Sequence, residues 1–179
     1  MRSRSVLAVV VALAGLAAGA ALAAVATDPK ELLLRSSDVP AGAKRVSFGG
    51  TSGAIRIPRT VHGKAAYVAY SFKNGARRES VGNAVGALGS TGDAHDVFLD
   101  LKEKAAKGGG FHRLSVPSYG DEQVALGIAN RAVSGGILLA RSGPVLWEVI
   151  VSDFPGFTES QLRGELEKYA ARAKKRAAP

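Results

Sequence analysis

The chain has 179 residues, a formal net charge of +9, 46 % hydrophobic residues and no cysteine. Without cysteine, disulfides, thiolate metal ligands, thiol nucleophiles and thiol redox chemistry are all excluded. The length suits one domain held by burial alone. The positive balance favours anionic counterparts through long-range attraction, or else a plain solvated surface of modest positive charge.

Arg2 and Arg4 precede an uncharged run rich in Ala, Val and Leu, from Val6 to Ala26. A positive start, an apolar centre and a small-residue A-x-A site form the pattern of a secretory signal. Two such sites compete, Ala21-Leu22-Ala23 and Ala24-Val25-Ala26. Cleavage after Ala26 is preferred, because Thr27 then starts a polar, well-capped segment. The alternative is an uncleaved membrane anchor; the run is long enough to span, but Ala and Gly make it weakly apolar. Either way Arg2 and Arg4 stay inside and the chain from Thr27 lies outside. No cysteine follows the run, so a lipid anchor is not expected. Ser3 separates the arginines, so export in the unfolded state is expected. The reading is a signal peptide, residues 1–26, and a single exported domain, residues 27–179, secreted or extracytoplasmic. Losing Arg2 and Arg4 lowers the formal charge from +9 to +7.

Asp28-Pro29-Lys30-Glu31 predicts the start of a short helix, with Asp as N-cap, Pro first and Glu as the reciprocal cap. Leu32, Leu33 and Leu34 give it an apolar side, and Pro40 and Gly42 stop it. Gly49-Gly50-Thr51-Ser52-Gly53 reads as a mobile loop. From Ala65 to Lys73, Ala66, Val68, Tyr70 and Phe72 alternate on one face, and Asn74-Gly75 supplies a type I′ turn, so a β-hairpin returns through Val81 towards Leu88. A helix follows from about Ala94 to Lys107, its stripe Ala94, Val97, Phe98, Leu101 and Ala105, ended by Gly108-Gly109-Gly110. Strands are predicted over Phe111–Val116, Gln123–Ala129, Ile137–Arg141 and Val145–Val151, the last two joined by a turn at Ser142-Gly143. Both faces of Val145–Val151 carry large apolar residues, which marks a central strand. The closing helix runs from Glu159 to about Arg176. Thr158 and Gln161 form its capping box, Phe157 and Leu162 its staple. Its buried stripe is Leu162, Leu166, Tyr169, Ala170 and Ala173. The expected fold is α+β: a mainly antiparallel sheet of about five to seven strands, with the helices packed on one face.

Reactive constellations are sparse. His62, His95 and His112 lack zinc-ligand spacing, and no G-x-S-x-G elbow is present. His95 with Asp93 and Asp96 forms a small polar group, for which acidic residues at a helix N-terminus are the plainer account. Glycines Gly82, Gly86, Gly89 and Gly92 are followed by no P-loop lysine. Gly120-Asp121-Glu122-Gln123 reads as a turn, and it also puts Glu122 near Arg141 at a sheet end. With Tyr67, Tyr70, Tyr119 and Trp147, these two residues make a candidate ligand cleft, the aromatics serving equally well as core. Arg172, Lys174, Lys175 and Arg176 are candidate contacts to an anionic surface, and they also complement the negative end of the helix dipole. The aromatics do not sit among the basic clusters, so nucleic acid is not an expected partner.

Several landmarks occur in order: Ser37-Asp38-Val39-Pro40-Ala41-Gly42, a hairpin, a helix, Gly120-Asp121-Glu122, Arg141-Ser142-Gly143 and a closing helix. This order resembles small exported domains of high-G+C bacteria, namely cell-envelope lipoproteins of unassigned function and the extracellular sensor-like domains of receptor kinases. The resemblance implies an α+β fold with a binding or sensing role and carries over no catalytic residue. The expectation is therefore a non-enzymatic envelope domain, without cofactor or metal, that binds a small ligand or an envelope protein. Alternatives are an electrostatic adaptor to anionic lipid or wall polymer, and a hydrolase whose site would involve Asp93, His95 or Glu122.

Overall fold

A computed structural model of the chain describes residues 28–56, 60–75, 77–107, 110–129, 134–154 and 157–177. The signal and anchor readings, which fall on residues 1–26, lie outside them. Among the described residues no helix is long and apolar enough to cross a membrane.

The strands are β1 (Lys44–Arg56), β2 (Thr60–Asn74), β3 (Arg77–Leu88), β4 (His112–Arg113), β5 (Glu122–Ala129), β6 (Ser134–Ser142) and β7 (Val145–Phe154). They form one antiparallel sheet in the order β1-β2-β3-β7-β6-β5-β4. Helices α1 (Thr91–Lys107) and α2 (Glu159–Ala177) complete an α+β architecture of the expected class.

The helices do not share a face. On β7, Trp147, Val149 and Val151 pack with α2 residues Leu162, Leu166, Tyr169, Ala170 and Ala173. Leu146, one residue out of phase, packs with α1 residues Ala94, Val97, Phe98 and Leu101. Successive strand side chains point to opposite faces, so α1 and α2 cover opposite sides of the central strands. The cause is visible in β6 and β7: a strand apolar on both faces needs cover on both, at roughly 1.5–3 kcal/mol per large side chain buried. Trp147 fits because its register neighbours are Val85 and the small Ala140.

Other departures are local. The leading segment forms only a single 3-10 turn, Pro29–Leu32, capped by Asp28 Oδ1 accepting from Lys30 N at 3.0 Å. It then extends, so that Leu33 and Leu34 are buried against the sheet. A second 3-10 turn spans Ser36–Asp38. Gly49–Gly53, expected as a loop, lies inside β1 and pairs in register with Gly63–Tyr67; the long partner β2 supplies the ladder that their own propensities do not. Both hairpin turns sit one residue later than expected. Asn74 pairs with Arg77, so Gly75 (φ +64°) occupies the first linking position. Ser142 pairs with Val145, leaving Gly143 (φ +57°) and Pro144 as the link. Proline cannot take positive φ, so this second turn has the type II′ pattern rather than I′. Phe111–Val116 keeps only His112–Arg113 as strand. Beyond Leu114 the chain leaves the ladder and carries Tyr119 to α2, where its hydroxyl donates to Glu167 O at 3.4 Å. The capping box at Thr158 forms as read: Thr158 N donates to Gln161 Oε1 at 3.0 Å and Gln161 N to Thr158 Oγ1 at 3.3 Å.

Candidate functional site

The six candidate cleft residues do not converge. Tyr70, Tyr119 and Trp147 are buried in the cluster beneath α2. Tyr67 packs on the α1 side. Glu122 and Arg141 do meet, as register partners on the α1 side with Arg141 Nε donating to Glu122 Oε2 at 2.5 Å.

Around that ion pair a closed network forms. His95, one turn into α1, places Nδ1 2.9 Å from Glu122 Oε2. Arg141 also donates to Gly143 O at 3.0 Å, and Asp121 Oδ2 accepts from Gly143 N at 2.8 Å. Asp121 N donates to Arg141 O at 2.7 Å. Gly120 is required here, since a Cβ would collide with the Arg141 carbonyl oxygen. The hydrogen bond to His95 does most to hold the Glu122 carboxyl below its ordinary range; burial opposes it, and the contacts with Arg141 add to the lowering. Chemically this network ties the β6–β7 turn to the start of β5 and to α1. Among the described residues no group of three or more His, Asp or Glu is placed to hold a metal ion, and no Ser or Thr hydroxyl is hydrogen-bonded to His95.

The C-terminal cations are largely committed within the fold. Arg176 Nε lies 2.6 Å from Asp38 Oδ2, and Arg172 donates to the Asp38 carbonyl while lying over the Tyr169 ring. Lys174 Nζ reaches Ser118 O at 3.5 Å, and Lys175 is exposed. Burial raises the Asp38 carboxyl, but hydrogen bonds from Arg176 and the Arg35 amide outweigh it, so it sits below its ordinary range.

Six further cations line two clefts at the β1–β3 end of the sheet. One cleft of about 560 Å³ opens between the leading segment and β1–β2 on the α2 side. Its cations are Lys30, Arg35 and Arg45, and its floor is Leu33, Leu34, Val68 and Tyr70. A second cleft of about 600 Å³ holds Lys44, Lys73 and Arg78 with Ser71, Ser80 and Val46. Among the described residues, no carboxylate lines either one.

A single irregularity in β1 builds this arrangement. Arg45 pairs with Tyr70 and Ser47 with Ala69, so Val46 is an extra, bulged residue. Strict alternation would put Arg45 and Phe48 on opposite faces. The bulge returns them to one face, where the Arg45 guanidinium lies 5.1 Å from the Phe48 ring centroid. Lys44 pairs with Ser71 and points to the other side. Neighbouring cations thus feed opposite clefts. Phe48 therefore joins the basic Lys44-Arg45 pair only through the bulge, which sequence spacing does not reveal.

In comparisons with known proteins, the chain matches no family model, no curated protein and no solved structure.

Proposed function

We propose that this chain is an exported, non-enzymatic domain of the bacterial cell envelope that binds an anionic ligand at the β1–β3 end of its sheet. The observation carrying this reading is the pair of clefts, each with three cations and no carboxylate among the described residues that line it. Like charges held together at that spacing repel, and a bound anion relieves the repulsion. Export rests on the signal-like pattern of residues 1–26. The non-enzymatic part is supported by the His95–Glu122–Arg141 network, whose members are occupied in tying a turn to a helix.

The test is thermal unfolding of the chain in inorganic phosphate against chloride at matched ionic strength. Phosphate should raise Tm, and replacing Lys30, Arg35, Arg45, Lys44, Lys73 and Arg78 by Ala should abolish the rise. An equal rise in that variant, or none in the parent, rejects the reading. Recovery of soluble cytosolic chain with Met1–Ala26 attached rejects export.

One observation favours a second reading, an adaptor to an anionic wall polymer. Lys44 and Arg45 join the two clefts around the β1 edge, a path suited to an extended polyanion. Retention on wall fragments lost in high salt supports it; retention that survives high salt does not.

A further inference from the structure

We infer that the cleft on the α2 side of β1–β2 takes a single monomeric anionic amphiphile, its phosphate or carboxylate head on Lys30, Arg35 and Arg45 and its hydrocarbon body along Leu33, Val68 and Phe48. This deepens the anion-binding reading and rests on it.

The two clefts carry the same charge. The one on the β3 side of Lys44 sets the hydroxyls Ser71 and Ser80 beside the apolar Val46 and Phe72. The other has an apolar floor: Leu33, Leu34 and Val68 are each only 2 % exposed. Phe48 extends that floor outward with 49 % of its surface exposed, and Arg45 lies over its ring. An apolar strip that ends under three cations matches a molecule with one charged end and one greasy end. A plain anion would leave the exposed Phe48 ring wet. The volume of about 560 Å³ falls within the roughly 300–1,000 Å³ typical of small-molecule sites.

The wall is also held in advance. Leu34 N donates to Asn83 Oδ1 at 2.8 Å, and the Tyr70 hydroxyl donates to Leu34 O at 3.2 Å. The leading segment is therefore pinned to the sheet from inside, and little ordering is left for the ligand to impose.

Isothermal titration with inorganic phosphate, hexyl phosphate and decyl phosphate, each below any micelle-forming concentration, tests this. Each methylene seated on the strip should tighten binding about fourfold, so hexyl phosphate should bind well over tenfold tighter than phosphate. Arg35→Ala with Arg45→Ala should weaken all three ligands. Phe48→Ser, an exposed position, should weaken only the alkyl phosphates, by about tenfold, with Tm unchanged. Lys73→Ala should leave the preference for alkyl chains intact. If phosphate binds but alkyl chains add nothing, the amphiphile inference falls and the anion reading stands. If none of the three binds, both fall.

Discussion

Glu148 is an acidic residue in a strand of large apolar ones, and the fold encloses it at 5 % exposure with no charged group among the described residues to compensate. Burial raises its carboxyl to about 8. The unfolded chain ionises near 4.5, so between 4.5 and about 8 the folded state binds more protons and stability falls as pH rises. Below 4.5 both states are protonated and the cost disappears. Glu148→Gln should therefore match the parent near pH 4 and exceed it at pH 9 by on the order of 2–5 kcal/mol, read by urea denaturation at the two pH values. Parallel pH curves would show that the carboxylate is solvated or paired. The pattern Leu146, Glu148, Ile150 was legible in the sequence as one face of a strand, but its enclosure was not, because alternation does not say which helix lies above. The Val46 bulge was equally illegible: nothing in Arg45-Val46-Ser47-Phe48 marks the residue that drops out of register.

At the scale of elements, local signals performed best where they were self-contained. The Thr158 box and the α2 stripe formed as read, and the i,i+4 pairs Asp100–Lys104 and Glu103–Lys107, both at 2.6 Å, are equally local. They involve residues a few positions apart, so no distant partner is needed. The leading segment behaved differently. It forms little helix because its hydrogen bonds go elsewhere: Asn83 accepts from Leu34 N and donates to Glu148 O at 2.9 Å, bridging that segment to β7 through β3. Asn83→Leu should cost about 1–3 kcal/mol by leaving a buried amide unpaired, with faster hydrogen exchange at Leu34 than at α2 amides. Equal acceleration throughout would mean that Asn83 matters only to global stability.

Across the whole molecule, the packed core and the proposed binding clefts are segregated. The central strands β6 and β7 lie between α1 and α2, and β1 forms one edge of the sheet. Native-state hydrogen exchange should show β6 and β7 amides opening only with global unfolding, and outward-facing β1 amides exchanging by local fluctuation. Uniform protection across the sheet would contradict that division. The same division explains why clefts open at the β1–β3 end and why the C-terminal cations are committed to the fold. Arg172 and Arg176 serve the packed end by clasping Asp38.

Hydrophobic period, caps and turn residues, which act within a few residues of one another, were enough to predict an α+β chain with a mainly antiparallel sheet, and cysteine-free composition ruled out thiol chemistry outright. Three features depended on contacts between residues far apart in the chain: the opposite placement of the helices, the closed Glu122–Arg141–His95 network and the convergence of Lys30, Arg35 and Arg45. The first two arise from strand register and the third from the β1 bulge that reverses alternation, and register is set by the energy of the assembled sheet rather than by any one segment.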